Sequence, residues 1–241
     1  MKIFFDFVAK FNAFFSIPRV AFFILSRIPP NRVREFYGRE FLSPVQQFAL
    51  DGYSDVLHRD LVNEDFGCVV VLGGYLGDSS AWYLENFDCK VHVIEPILNF
   101  RKTLENRFIN SKKIQVYPFA ASDMNGEMEI FIQGEKTGIF VKSGEIQKVP
   151  CVDIHSFLSE IPDRIFLLEI NIEGGEYVVL SRLIETGKIR NIRTLLVQFH
   201  RYQLDQELTR AQIRLALGKS HKEVFNYDWI WERWDLAEED K

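Results

Sequence analysis

From residue 68 to residue 199, apolar positions alternate between short continuous runs and longer stretches in which they recur every three or four residues. The continuous runs fit strands buried on both faces, and the longer spacing fits helices packed by one side. Read in order, the pattern predicts a strand over Cys68–Leu72, a helix over 78–87, a strand over 91–95, a helix past Pro96 to residue 107 and a strand over 114–119. A shorter pair of strands, 129–133 and 138–142, is expected around the turn residues Asn125, Gly126 and Gly134. A helix over 153–160 then precedes a strand over 165–171, a helix over 173–186, a strand over 194–199, a helix over 207–217 and two closing strands, His221–Tyr227 and 229–234. This alternation predicts right-handed crossovers and a mostly parallel, doubly wound sheet.

The first 28 residues carry a different pattern. Eight of the 22 phenylalanines fall in the first 25 positions, and Phe4, Phe7, Phe11 and Phe14 recur at helical spacing with Asp6 and Lys10 on the other side. This predicts an amphipathic helix ending at Pro18, followed by a second apolar piece over 20–25. One reading packs the segment on the domain or a partner subunit; the other lays it on a membrane interface. No uncharged run approaches the roughly 20 residues needed to cross a bilayer. Asp6 and Lys10 also interrupt the apolar region that a cleaved signal peptide requires. Pro29-Pro30 closes the segment, and the expected division is an extension over 1–65 and a second domain over 66–241.

Composition narrows the choices. With 241 residues and 47% hydrophobic content, the chain can bury one α/β core beside an extension. Its net charge of −5 argues against a phosphate-coating surface, so no nucleic-acid partner is expected. Cys68, Cys89 and Cys151 lie far apart without CxxC spacing, which argues against a zinc site and a disulfide framework. The expected compartment is the cytoplasm, with peripheral membrane contact through residues 1–28 as the variant.

In an open α/β sheet the ligand lies beyond the carboxyl ends of the strands. Gly73-Gly74-Tyr75-Leu76-Gly77-Asp78 follows the first strand, and its glycines allow a sharp turn and close backbone approach to a ligand. Glu95 closes the second strand, where a carboxylate can accept two hydrogen bonds from a ribose diol; nicotinamide cofactors and S-adenosylmethionine both present one. Near the fourth long strand, Asn171 and Glu173 face the substrate side, where they can orient a hydroxyl, take its proton or hold a metal. Glu176 fits a helix cap. His200 ends the next strand, where a neutral imidazole serves as a general base or as a structural group.

Taken together, these pieces resemble the FkbM-type family of S-adenosylmethionine-dependent methyltransferases. The resemblance is carried by Val71 to Asp78, Val93-Ile94-Glu95-Pro96, Ala120-Ala121-Ser122-Asp123 with Gly126, Val152-Asp153, and Ile170 to Glu176. It implies a seven-stranded Rossmann-like fold, methyl transfer to a hydroxyl, and sugars or related metabolites as acceptors. By that likeness Gly73, Gly74, Tyr75, Gly77 and Asp78 cradle the methionine part, Glu95 with Pro96 binds the ribose, and Phe119, Ala120 and Ala121 lie near the adenine. The chain departs from the family pattern at Val71, where an Asp is common, at Tyr75, where an Asn is usual, and at Asn171, where many members have Asp.

The resulting expectation is an O-methyltransferase acting on a sugar, glycan or related metabolite, with His200 as base, Glu173 and Asn171 positioning the hydroxyl, and no metal. Two alternatives stand beside it. One is a non-catalytic or membrane-tethered binding module, suggested by Val71 and Tyr75. The other is a nicotinamide oxidoreductase, weakened because Gly73, Gly74 and Gly77 do not make a GxGxxG spacing.

Overall fold

The computed structural model describes residues 42–62, 67–132 and 144–237. The amphipathic helix expected in residues 1–28 and the strand expected over 138–142 lie outside the described residues. Among those described, no helix is long and apolar enough to cross a membrane. The chain divides into two compact units, Met1–Arg59 and Asp60–Lys241. In the first, α1 (Pro44–Leu50) opens on a reciprocal cap: the Ser43 hydroxyl accepts from the Gln46 amide, and the Gln46 side chain accepts from the Ser43 amide. A short α2 (Ser54–His58) follows.

The second unit is built on a seven-stranded sheet. Its strands are β1 (Cys68–Leu72), β2 (Val91–Ile94), β3 (Ile114–Tyr117), β7 (Ile165–Ile170), β8 (Ile192–Val197), β9 (His221–Tyr227) and β10 (Trp231–Leu236), in the order β3-β2-β1-β7-β8-β10-β9. Every pair from β3 to β8 is parallel, whereas β10 runs antiparallel to both β8 and β9. β1 is buried at all five positions because it lies between β2 and β7 with helices over both faces, which is why its sequence is an unbroken apolar run, Cys68 to Leu72 with three valines between. The helices are α3 (Asp78–Asn86), α4 (Leu98–Arg107), α5 (Ile154–Glu160), α6 (Glu176–Glu185) and α7 (Gln206–Leu217). Tyr83 of α3 is fully buried and donates to Glu169 of β7 at 2.5 Å, fixing helix to sheet.

The middle of the chain corrects the expectation. The strand predicted over 114–119 ends at Tyr117, and Ala120–Ser122 forms β4 in a separate three-stranded sheet. In that sheet β6 (Glu145–Asp153) pairs parallel with β4 and antiparallel with β5 (Gly126–Ile132). β6 escapes the pattern because Pro150, which cannot donate to a ladder, sits inside it. Its alternation survives in Val149, Cys151 and Asp153, which are buried. The last strand begins at Trp231 instead of 229, since Trp229 turns the chain with φ +59°.

Three strand ends are held in register. Leu72 pairs with Ile94 on one side and Ile170 on the other; beyond them the Gly73 amide donates to Ile94 O at 3.0 Å, and the Asn171 amide donates to Leu72 O at 3.1 Å. Gly73, Glu95 and Asn171 therefore emerge side by side at one edge.

Candidate active site

At that edge lies a cavity of about 310 Å³, walled by strand ends of the large sheet and by Met128 and Ile130 of β5. Of the residues singled out in the sequence, Gly73, Tyr75, Glu95, Pro96, Ala120, Ala121, Asn171 and Glu173 line it. Ile97, Phe100, Met128 and Ile130 add apolar walls the sequence reading did not name. Phe100 was within reach of inference, since it faces the same way as Ile97 one turn into α4. Met128 and Ile130 were not, because their place depends on the second sheet.

The glycine loop divides in its uses. Gly73 has φ +87°, and a Cβ there would stand 2.0 Å from the Asn171 carbonyl oxygen, so only glycine lets the loop pass the end of β7. Gly74 and Gly77 do not border the cavity. A Cβ on Gly74 would meet Val93 at 2.3 Å, and one on Gly77 would meet Leu104 and Phe108 at 2.8 Å, so these two glycines let the loop pack closely against β2 and α4. Asp78 likewise turns outward, bridged to Arg107 at 2.6 Å with its side chain 84% exposed. Phe119 packs with Tyr117 and Phe157, at the adjoining core and outside the cavity lining.

Glu95 is 4% exposed, and its two oxygens accept from the backbone amides of Tyr75 at 3.0 Å and Ile97 at 2.8 Å. Burial raises its pKa to about 7, and the two amides and Arg101 offset only part of that shift. Tyr75, at φ +45°, packs its ring edge-on against Phe100 at 4.7 Å.

The turn after β7 departs from the expected helix start. α6 begins at Glu176, and Glu173 takes a left-handed conformation, φ +51°, that is uncommon for a residue with a side chain. The cause is the carboxylate of Glu176: fully buried, it folds back to accept from the amides of Ile172 at 3.2 Å and Gly174 at 2.8 Å. It also accepts from His200 Nδ1 at 2.7 Å, while His200 Nε2 lies 3.1 Å from Glu173 Oε1. Tyr202 donates its hydroxyl to the other oxygen of Glu173.

This corrects the role expected of His200. Burial alone would lower its pKa, but Glu173 and Glu176 outweigh burial and raise it to about 9. An imidazole clamped between two carboxylates is protonated at neutral pH and has no lone pair to offer a hydroxyl. It also stands behind Glu173, outside the cavity lining.

A mostly parallel seven-stranded sheet with an antiparallel β10 between β8 and β9, and a cleft at its carboxyl edge, defines the class I methyltransferase fold. The methyltransferase FkbM domain model matches residues 72–228, and the chain belongs to that family. No curated protein matches the chain. Among solved structures, a putative rRNA methylase from Clostridium thermocellum superposes with a TM-score of 0.51 at 9% identity, covering 83% of this chain and 98% of that one. A fibrillarin/Nop5p complex matches with a TM-score of 0.47 at 12% identity over 80% of each chain. Fibrillarin from Aeropyrum pernix, with S-adenosyl-L-methionine bound, matches at 0.42 and 7% identity over 71% of this chain and 66% of that one. The rRNA acceptor belongs to the first neighbour, and the likeness to it extends to the fold alone. The protein is thus a methyltransferase with S-adenosylmethionine as its cofactor, and the nicotinamide and non-catalytic alternatives fall away. The cavity suits that group: a buried carboxylate held by two amides lines it and can accept from a diol, and apolar walls flank it.

Proposed function

We propose that the protein transfers a methyl group to a hydroxyl of a sugar, glycan or related small metabolite, with Glu173 as the residue that takes the hydroxyl proton. The observation that carries this reading is the Glu173 carboxylate, held on a left-handed turn at the cavity wall beside Asn171, with its side chain 22% exposed. Bound S-adenosylmethionine supplies an electrophilic methyl on a sulfonium centre. Glu95 would accept from the ribose, with Gly73, Tyr75 and Pro96 beside it, while Ala120 and Ala121 with Ile97 and Met128 would flank the adenine. Asn171 offers both a donor and an acceptor to orient the hydroxyl. Glu173 would receive the O–H proton as the new C–O bond forms and the bond from the methyl carbon to the cofactor sulfur breaks, which leaves the cofactor as a neutral thioether. A carboxylate suffices as acceptor, because a methylated hydroxyl that still carries its proton is a far stronger acid than a carboxylic acid. Tyr75 and Tyr202, 37% and 38% exposed, offer aromatic faces of the kind that sugar C–H groups stack on. The net charge of −5 disfavours a nucleic-acid acceptor.

The test is to incubate the full chain with methyl-labelled cofactor and a panel of carbohydrates, hydroxylated metabolites, RNA and protein. Alkali-stable label in the carbohydrate or metabolite fraction is expected, as an ether requires; label confined to RNA or protein, or lost in alkali as an ester, overturns the reading. Glu173→Gln should reduce turnover by roughly 10²–10⁴-fold, the range for a positioned base.

A further inference from the structure

We propose that Glu176, His200 and Tyr202 are positioning residues that act together to hold the Glu173 carboxylate at the cavity wall. This rests on the reading of Glu173 just given and adds to it three residues that touch no reacting atom.

Glu173 cannot hold its place unaided. Its backbone lies in the left-handed region, which L residues with a side chain avoid, and the following Gly174 has φ +105°. Two sets of contacts stabilise that turn. From below, the buried Glu176 carboxylate takes the amides of Ile172 and Gly174, closing the turn around Glu173. From the side, the His200 ring bridges Glu176 and Glu173 with one nitrogen to each, so the carboxylate that shapes the turn is tied to the one the turn presents. Tyr202 holds the second oxygen of Glu173, and its ring stacks on His200 with centroids 6.1 Å apart and planes 12° from parallel.

The clamp is itself anchored to the fold. Tyr177 of α6 donates to the His200 carbonyl at 2.6 Å, fixing the segment that follows β8 against the helix that Glu176 begins. The Gln206 side chain accepts from the amides of Tyr202 at 2.6 Å and Gln203 at 2.8 Å, fixing the loop that carries Tyr202 to the start of α7. Charge supports the geometry. The imidazolium, its pKa raised to about 9 by its two carboxylates, compensates both of them, so neither is an unpaired buried charge. The arrangement fixes the direction of the Glu173 carboxylate at the cavity wall.

The test compares Glu173→Gln, Glu176→Gln, His200→Ala and Tyr202→Phe in the full chain. Three quantities are read: binding of S-adenosylhomocysteine by calorimetry, ¹⁵N resonances of the His200 ring against pH, and turnover on whichever acceptor the labelled panel yields. Product binding should stay within about twofold in all four, since none of these residues faces the ribose or the adenine. The His200 ring should titrate nearer its ordinary value in both Glu→Gln variants, a signature that a ring placed only for packing would lack. Turnover should fall roughly 10–100-fold in His200→Ala and by about threefold or more in Tyr202→Phe, with KM for the cofactor unchanged, as expected when a reacting group is misplaced by a fraction of an ångström. Normal turnover in Tyr202→Phe and His200→Ala beside an inactive Glu173→Gln overturns this inference alone. Normal turnover in Glu173→Gln overturns the reading beneath it. Should His200→Ala fail to fold, Tyr202→Phe carries the decision, because its half-exposed ring can lose its hydroxyl without loss of the core.

Discussion

Two buried ionic clusters in this molecule use similar residues to different ends. In the first, Glu232 of β10 is fully buried between two guanidinium groups: Arg210 reaches one oxygen at 2.5 Å and Arg214 the other at 2.5 Å, and the Trp234 indole adds a third donor at 2.9 Å. Asp228 and Glu223 take the remaining guanidinium arms, and Arg210 and Arg214 lie over the faces of Trp229 and Trp234. The two guanidinium groups share one buried carboxylate and each takes a second, more exposed one, and the result ties α7 to the β9–β10 hairpin. In the second cluster, one cation, His200, serves two carboxylates, and one of these, Glu173, stands at a cavity on strained backbone. A cluster that only stabilises can satisfy its donors and acceptors inward. One that acts must leave acceptor capacity facing outward, and its turn carries the conformational cost.

The comparison breaks most visibly at Glu232. Glu232→Ala should remove about 3–5 kcal/mol of stability, because it leaves Arg210 buried without its main partner. For a chain of this size that lowers the melting temperature by roughly 10 °C or more. Turnover per folded molecule should change little, so thermal unfolding followed by calorimetry, beside activity at low temperature, separates the two effects. A variant that melts within a degree or two of the parent would show that packing, not charge pairing, holds α7 to the hairpin.

The second cluster answers to pH. A histidine whose pKa rises from the ordinary 6.5 to about 9 on folding stabilises the native state fully below about pH 6.5, and that stabilisation is lost as pH rises through about 9. It amounts to on the order of 3 kcal/mol, and the unfolding free energy of the parent should fall by that much between pH 6 and pH 10 relative to His200→Ala. Parallel pH profiles for the two proteins would contradict the imidazolium assignment. Asp153, paired with Arg182 at 2.7 Å and held down to about 2, behaves oppositely: its contribution is present above the ordinary carboxylate range and disappears only as pH falls through about 2.

How far the sequence disclosed all this follows from the range over which each feature is determined. The large sheet was legible because β1, β2, β7 and β8 are almost wholly buried, and burial on both faces writes mostly apolar runs into the chain, interrupted only by His92, Glu169, Arg193 and Thr194. The row Gly73, Glu95, Asn171 was legible because parallel strands deliver their ends to one edge. The second sheet was not, since β6 hides Pro150 inside it and β4 is three residues long. The state of His200 was also beyond local reading. Its two partners lie 24 and 27 positions away in the chain, and only the fold brings both carboxylates to one ring. The packing of Gly74 and Gly77 was hidden for a similar reason, as the side chains that exclude a Cβ come from β2, from α4 and from Phe108 just beyond it.

Glu95 offers the finest test of the contrast, because it is a buried carboxylate with no ion-pair partner among the described residues, held only by two backbone amides. Its pKa, raised to about 7 by burial, means that the empty site carries a proton on this carboxyl through much of the acidic range. Ribose hydroxyls donate to the ionised form, so binding must expel that proton whenever it is present. Affinity for S-adenosylhomocysteine should therefore fall by up to about tenfold for each pH unit below 7 and level off above it, the slope of a single linked proton. Calorimetry in two buffers of different ionisation enthalpy reads the proton release directly near pH 6. Glu95→Gln should bind more weakly, since the amide replaces one acceptor with a donor, and should show no pH dependence over the same range. An affinity for the parent that stays flat from pH 5.5 to 7.5 would mean that Glu95 binds its ligand already ionised, and would overturn the linkage.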